Sequence, residues 1–180
     1  MSDYFERIHG HIGDENYEKA KYELEMGNNN YFRGGRTYEA ALLYQLYGQF
    51  YAVQSQYTDA VPWFEKALAT DKMPRIGAQE VRFQLAQTYF MIGKYENVIS
   101  LLEEFIKIGE RYKYPVSARV NLLMSYSHGR IEQYDSSYYH IKQANNKSDK
   151  PQIDWIEYAF SLAMKLENLD DAEDLGTRLL

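Results

Sequence analysis

The sequence predicts an all-α protein of about five antiparallel helix pairs, and three observations predict it. The chain of 180 residues has only 4 prolines and 11 glycines, which favours long regular elements. One pattern of aromatic, small and bulky apolar residues recurs at intervals of 35 to 40 residues with the spacing of a helix face. Turn-forming residues fall between these segments. With 45% hydrophobic and 26% charged residues, the composition is that of a globular protein.

The recurring pattern is an aromatic residue, a small residue three positions later, a bulky apolar residue four after that, and usually a small residue three further on. Steps of three, four and three place these residues on one stripe of a helix. The stripes are Tyr17, Ala20, Leu24 and Gly27; Tyr57, Ala60, Phe64 and Ala67; Tyr95, Val98, Leu102 and Phe105; Tyr134, Ser137, Ile141 and Ala144; and, more faintly, Leu169, Ala172, Gly176 and Leu179.

Each stripe follows another helical segment, so we expect ten helices in five pairs. The expected spans, by pairs, are 3–12 and 16–28, 37–53 and 58–70, 75–91 and 95–109, 116–128 and 133–145, and 151–166 and 169–180. Loops are expected at Gly34 and Gly35 and over 145–150. We expect a single array over 1–180, which is a fragment of a longer protein. Its units are about 1–34, 35–74, 75–114, 115–150 and 151–180.

Three of the four prolines agree with these spans. Pro74, Pro115 and Pro151 fall near the first turn of a helix that opens a pair, where a missing N–H costs nothing. Pro62 does not agree so well. It fits only if its helix begins near Asp59 or is locally kinked.

The second unit carries a more specific motif. Tyr44, Tyr47, Gly48 and Tyr51 are followed six residues later by Tyr57. With the Ala-x3-Phe that follows, this resembles the tetratricopeptide repeat. The resemblance implies a right-handed α-α superhelix whose concave face is lined by the first helix of each pair.

The same resemblance assigns roles to small residues and a register to each unit. Gly48 and Ala86 are expected where two antiparallel helices touch. In the fourth unit we align Tyr126 with Tyr51. Eight residues then separate Tyr126 from Tyr134 where six are expected, so a two-residue insertion is predicted in the turn at 127–130.

A closer resemblance is to bacterial tetratricopeptide proteins encoded beside TonB energy-transduction systems. It lies in the segments that begin at Tyr44, Tyr57, Phe83 and Lys94, and in Trp155 ahead of a Leu-Asp-Asp-Ala segment. It implies an adaptor in the periplasm of a Gram-negative bacterium. Without it, the expected location is the cytoplasm.

Composition and motifs exclude several function classes. A net charge of −6 and a pI near 5.3 argue against nucleic-acid binding, and the absence of cysteine excludes disulfides and thiolate metal sites. No apolar run approaches the roughly 20 residues of a membrane span. Phosphate-loop, zinc-protease and nucleophile-elbow motifs are missing. His9 and His11 point in different directions on a helix. We therefore expect no enzyme activity, no cofactor and no bound metal.

The remaining candidate site is the concave groove that the repeat resemblance implies. Its positions fall on Gln45, Gln49 and Val53 in the second unit, on Phe83, Gln87, Phe90 and Met91 in the third, and on Met124 and His128 in the fourth. This face is amide-rich and apolar and lacks the lysines that clamp a carboxylate. We expect it to bind an apolar or amide-rich segment of a protein partner. The alternatives are a homodimer formed through Leu179 and Leu180, or a regulatory arm of a larger protein.

Overall fold

The computed structural model describes residues 2–31 and 37–179, except the side chains of residues 2, 30 and 31. Ten α-helices and no strand occur in these ranges, which confirms the all-helical prediction. They are α1 Ser2–Gly13, α2 Tyr17–Met26, α3 Tyr38–Val53, α4 Tyr57–Ala69, α5 Arg75–Met91, α6 Tyr95–Tyr112, α7 Ala118–Arg130, α8 Tyr134–Asn146, α9 Ile153–Lys165 and α10 Leu169–Thr177. A π-helical turn, Gly27–Tyr31, continues α2. The expected loop at Gly34 and Gly35 lies outside the described residues.

The helices group into two compact units, Met1–Gly93 and Lys94–Leu180. In the first unit, α3 packs on α4 and α4 on α5, while α1 contacts α2 and α3. In the second, each helix from α6 to α9 packs on the next helix along the chain, so that α10 packs on α9. The division of the chain into five repeat units stays a prediction.

The turn inside each helix pair is the most regular feature of the fold. Each second helix begins four residues after the first helix ends. The residue two positions before each second helix has a positive φ: Glu15 (57°), Ser55 (61°), Gly93 (74°), Glu132 (62°) and Glu167 (57°). In the second pair, the N–H of Gln56 then donates to the carbonyl of Tyr51 at 2.9 Å. This bond and the left-handed residue before it close the first helix.

The same bond corrects the register predicted for the fourth pair. The N–H of Gln133 donates to the carbonyl of His128 at 2.9 Å, so His128, and not Tyr126, corresponds to Tyr51. Residues 127–130 are helical, and the connection at 131–133 has the usual length. The predicted two-residue insertion is therefore wrong. The aromatic ring of Tyr126 suggested the wrong alignment, two residues too early.

Pro62 lies inside its helix. Because α4 begins at Tyr57, the proline is its sixth residue, beyond the first turn. Its ring nitrogen cannot donate to the carbonyl of Thr58, so one helical hydrogen bond is missing there. The proline is on the exposed side of α4, where water can satisfy that carbonyl.

Each unit has its own packed core. A hydrophobic cluster of the first unit contains Ile8, Ile12, Ala20, Leu24, Leu43, Leu46, Tyr47 and Phe50. That of the second contains Tyr138, Ile141, Ala144, Ile156, Ala159, Leu162, Ala163, Ala172 and Leu175. Leu179, expected to be exposed for dimer formation, instead packs partly buried against the second cluster. Gly48 is a helix contact as predicted, because a Cβ added there would lie 2.6 Å from the ring of Phe64.

Candidate partner-binding cleft

The first helices of the first unit, α1, α3 and α5, together line an open cleft of about 690 Å³. Its lining residues are Phe5, Glu6, His9 and Gly10 from α1, Leu42, Gln45, Leu46 and Gln49 from α3, and Glu80 and Gln84 from α5. Within each helix the spacings between these residues are those of neighbours on a single helix face. Each of the three helices therefore presents one face to the cleft. We call this surface the α1–α3–α5 cleft.

A row of polar side chains crosses the cleft from α3 to α5. The amide nitrogen of Gln45 donates to the amide oxygen of Gln84 at 3.2 Å. The amide nitrogen of Gln84 in turn donates to Glu80 Oε1 at 3.2 Å. These bonds hold Gln84 at both ends. Within the described part of the chain, the amide oxygen of Gln45 accepts no hydrogen bond, and the half-buried side-chain amide of Gln49 makes none.

Beside this polar row, the cleft has an apolar wall. Leu46 is 7% exposed and belongs to the core of the first unit, while Leu42 and Phe5 are half-buried and present part of their surface to the cleft. A wall of this kind can cover an apolar side chain of a bound segment, while the amides fix its orientation.

The charges at the cleft are of one sign. Glu6 and Glu80 are both exposed carboxylates, one on α1 and one on α5, and the ten lining residues include no lysine or arginine. The two formally charged residues of the cleft lining are therefore both acidic.

The predicted groove residues divide into three groups in the first unit. Gln45 and Gln49 line the cleft. Val53, Gln87 and Met91 are exposed but lie outside its lining, and Phe83 and Phe90 are half-buried outside it. On α5 the cleft thus uses Glu80 and Gln84, which are one turn apart.

The two predicted residues of the second unit lie in its interior. Met124 is 2% exposed and His128 is 7% exposed, so neither offers surface to a partner. The cause is the register of α7. Counted from the turn, its outward positions include Leu122 and Tyr126, both half-buried, and the exposed Arg130. We leave Met124 and His128 out of the proposed surface.

Sequence reasoning missed the contribution of α1. The first repeat unit, about 1–34, has no recognisable motif in its first helix, so the sequence pattern predicts no groove position at Phe5, Glu6 or His9. A usable signal was present, however. Counting back from Tyr17 by the spacing of the other pairs ends α1 at Gly13, as observed, and places Phe5 and His9 on the groove-facing positions.

His128 has a structural role in the second unit. Its ring stacks on that of His140 with the centroids 5.5 Å apart and the planes 5° from parallel. His128 Nδ1 lies 2.7 Å from the amide oxygen of Gln133, and His140 Nδ1 lies 3.3 Å from that of Asn121. Burial, assisted by His128 and Lys147, lowers the pKa of His140 to about 4. His140 is therefore neutral near pH 7.

Two further features of the described ranges bear on metal binding and on membrane insertion. No group of three or more histidine, cysteine or acidic side chains there is arranged to hold a metal ion. No helix there has both the length and the apolar character needed to cross a membrane.

Comparisons with known proteins give relatives in fold. No family model matches the chain, and no curated protein matches it. The solved structure of MamA from Desulfovibrio magneticus RS-1 is similar at a TM-score of 0.76 and 17% identity, covering 99% of this chain and 92% of that one. MamA of strain AMB-1 is similar at a TM-score of 0.75 and 16% identity, covering 99% of this chain and 88% of that one. A putative kinesin light chain of Podospora anserina with TPR-like repeats is similar at a TM-score of 0.75 and 13% identity, covering 99% of this chain and 92% of that one.

These structures support a tetratricopeptide-like fold and nothing finer, because their identities to this chain are 13–17%. The predicted fold class is therefore confirmed, and the repeat resemblance is supported as a resemblance in fold. The closer resemblance to TonB-associated proteins receives no support from them.

Proposed function

We propose that this chain is a non-catalytic protein-interaction scaffold that holds an apolar or amide-rich segment of a partner in the α1–α3–α5 cleft. The observation that carries the proposal is the row of Gln45, Gln84 and Glu80 beside an apolar wall. Such a combination suits a peptide, which has an alternation of backbone amides and side chains to match.

Binding would use two sets of contacts. An apolar side chain of the segment packs on Leu42 and the exposed part of Phe5, which removes apolar surface from water. Its backbone N–H donates to the free amide oxygen of Gln45, and its backbone carbonyl accepts from the amide of Gln49. Both glutamine groups already lie in the cleft, so little side-chain ordering is needed.

Enzyme activity is not part of the proposal. The sequence has none of the phosphate-binding, zinc-protease or serine-hydrolase motifs that carry such chemistry. The cleft is wide and open, which suits a chain segment better than a reaction that must exclude water. No cofactor or metal enters the proposed function.

The proposal is tested by affinity capture with three baits. The first is the unchanged chain, and the second carries Gln49→Arg, which fills and charges the cleft. The third is a control with Gln143→Arg, which makes the same change at a half-buried glutamine of α8 in the second unit. We expect one partner to be retained by the first and third baits and lost by the second. Retention by all three would contradict binding in the cleft.

The compartment follows from the same capture. A periplasmic role in a bacterial TonB-type system rests on the sequence resemblance alone, and the cytoplasm is the proposed compartment without it. Envelope and cytoplasmic extracts are therefore used separately. A cleft-dependent partner from the TonB system supports the first location, and one from the cytoplasmic extract alone contradicts it.

A homodimer is the second candidate, favoured by exposed apolar residues on the last helix pair. Ile153 is 69% exposed, Leu169 is 66% exposed and Met164 is 48% exposed. A second copy could cover them. Mass measured against concentration tests this, with Leu169→Asp expected to reduce association. A mass that stays monomeric at all concentrations would exclude the dimer.

A further inference from the structure

We infer that the exposed face of α10 is a second docking surface, which binds a basic amphipathic helix of a partner protein. This surface consists of Leu169, Asp170, Glu173, Asp174 and Thr177, and we call it the α10 face. It belongs to the second unit. The inference is therefore independent of the cleft in the first unit and goes beyond the proposed function.

The corresponding face of α8 shows which kind of element such a surface accommodates. Both α8 and α10 are second helices that begin directly after the turn of their pair, and α9 packs on α8. Tyr138 of α8 is 8% exposed and shares a core cluster with Ile156 of α9. Lys165 Nζ, at the end of α9, lies 3.8 Å from the centre of the Tyr134 ring. The element that covers this face of α8 is a helix.

On α10 the equivalent positions are exposed. Counted from the first residue of each helix, Leu169 corresponds to Tyr134 and Glu173 to Tyr138. Leu169 is 66% exposed, and Glu173 and Thr177, about one and two turns further on, are exposed as well. The other side of α10 is buried against α9. The α10 face therefore has the spacing and the exposure that a further helix requires.

The charge of α10 determines which helix fits. Its nine residues include four acidic side chains and no basic one. Asp171 pairs with Lys142 at 2.7 Å. Asp170, Glu173 and Asp174 are exposed and form no ion pair within the described part of the chain. A partner helix with lysine or arginine beside its apolar residues supplies the complementary charges.

The helix itself does not account for all of these carboxylates. Asp170 lies in the first turn, where the helix dipole favours a negative charge. Glu173 lies in the middle of the helix, where the dipole has little effect, and Asp174 lies in the last turn, where a cation is favoured. A cationic partner on the α10 face would stabilise both Glu173 and Asp174.

Charge also separates such a partner from a second copy of the chain. A symmetric dimer through the α10 face would bring the three exposed carboxylates of one copy against those of the other. Like charges that meet across an interface weaken it. A basic helix makes the same apolar contact with Leu169 and avoids this repulsion.

The test uses three labelled amphipathic helical peptides of equal length that share their leucine positions. The positions beside the leucines are lysine in the first peptide, glutamine in the second and glutamate in the third. Fluorescence anisotropy measures their binding to the full chain at low and at physiological salt. We expect the lysine peptide to bind about 3- to 10-fold more tightly than the glutamine peptide, with a smaller advantage at higher salt.

Three variants locate the binding. Glu173→Lys is expected to weaken binding of the lysine peptide by about 10-fold, because an attraction becomes a repulsion. Its control, Glu110→Lys, makes the same change in net charge at an exposed position of α6 and is expected to change the affinity by less than about 2-fold. Leu169→Ala is expected to weaken the lysine and glutamine peptides by the same factor, because it removes an apolar contact that both make. Far-UV circular dichroism checks that each variant is folded.

The outcomes are distinct. Weaker binding in Glu173→Lys than in Glu110→Lys supports the α10 face as the site. Equal binding of the lysine and glutamine peptides overturns the inference, and so does equal weakening by the two charge reversals, because net charge then explains the attraction. A mass that rises with concentration and returns to that of the monomer in Leu169→Ala overturns it in favour of a second copy. Binding of none of the peptides also overturns it, whereas the cleft is tested by its own capture experiment.

Discussion

The two units use different side chains at the close contact between the two helices of a pair. At the crossing of α3 and α4, Gly48 faces the ring of Phe64, and Ala60 is fully buried nearby. At the equivalent crossing of α7 and α8, counted from the turn, Ser125 and Ser137 replace Gly48 and Ala60. Ser125 Oγ donates to the carbonyl of Ser137 at 2.7 Å, and Ser137 Oγ donates to that of Ser125 at 2.8 Å. Both serines are fully buried.

The polar crossing extends to the next helix pair. The hydroxyl of Tyr158 on α9 lies 3.0 Å from Ser137 Oγ. Gly129 leaves room for it, because a Cβ at Gly129 would lie 2.2 Å from that hydroxyl oxygen. The smallest residue of α7 thus allows a hydrogen bond that joins three helices.

The difference shows that the repeat pattern requires small side chains at the helix contact but does not determine whether they are apolar or polar. Both crossings need small side chains, and glycine, alanine and serine all satisfy that need. An apolar crossing fails when volume is added to it. A hydrogen-bonded crossing also fails when one buried group loses its partner. The two units should therefore respond differently to matched substitutions.

The largest effect is expected at the apolar crossing. Gly48→Leu places side-chain atoms where the ring of Phe64 already lies, so we expect the free energy of unfolding to fall by about 1–3 kcal/mol. Denaturant unfolding measures it. The control is Gly13→Leu, where a Cβ meets nothing within 4 Å. Equal stability of the two variants would show that α3 and α4 are not in close contact.

The next effect is expected at the polar crossing. Ser137→Ala removes the donor to the carbonyl of Ser125 and a partner of Tyr158, at a cost of about 1–2 kcal/mol in unfolding free energy. Ala60→Ser, the reverse exchange in the first unit, adds a buried hydroxyl with no serine opposite and should also destabilise. If Ser137→Ala were neutral, the reciprocal hydrogen bonds would contribute nothing to stability.

Acid should act on the second unit through its histidine stack. The pKa of His140 is about 4 in the folded chain against an ordinary value of 6.5. The unfolded chain therefore binds the proton first, and stability present above about pH 6.5 is lost as the pH falls toward 4. Thermal melting at a series of pH values should show that His140→Gln reduces this loss. An unaltered pH dependence in His140→Gln would contradict this.

The smallest effect concerns the turn, where the two units agree. Ser55 and Glu132 both have a positive φ, which costs a residue with a Cβ more than it costs glycine. Ser55→Gly and Glu132→Gly should each raise the unfolding free energy by up to about 1 kcal/mol. Gly93→Ser should lower it by a similar amount. If Ser55→Gly and Glu132→Gly changed the unfolding free energy in opposite directions, the two turns would not be equivalent.

Most of the fold follows from sequence periodicity. The expected span 75–91 is the observed α5, and most other helix ends differ by one to three residues. Stripe residues, loop residues and prolines act locally, so their positions in the sequence report local structure. The register of α7 failed because one tyrosine matched the aromatic pattern two residues early. The turn geometry, which sequence spacing records through Tyr134, gives the correct register.

The candidate site was predictable only in part. The repeat pattern placed Gln45 and Gln49 on the right face of α3, because residue spacing determines helix faces. It could not show that Gln84, 39 residues from Gln45, bonds to it. Nor could it show that Phe5 and Glu6 of an unrecognised first helix complete the cleft. Contacts between helices far apart in sequence depend on packing, which a pattern along one helix does not contain.

Site-specific photo-crosslinking tests the central claim, that a partner segment occupies the α1–α3–α5 cleft, most directly. A benzophenone amino acid is placed at Gln49 in one variant and at Gln143, outside the cleft, in another, and both are irradiated in the presence of the captured partner. The account predicts a single crosslinked species from Gln49, absent when Gln45→Arg is added, and none from Gln143. Crosslinking from Gln143 with none from Gln49 would contradict it.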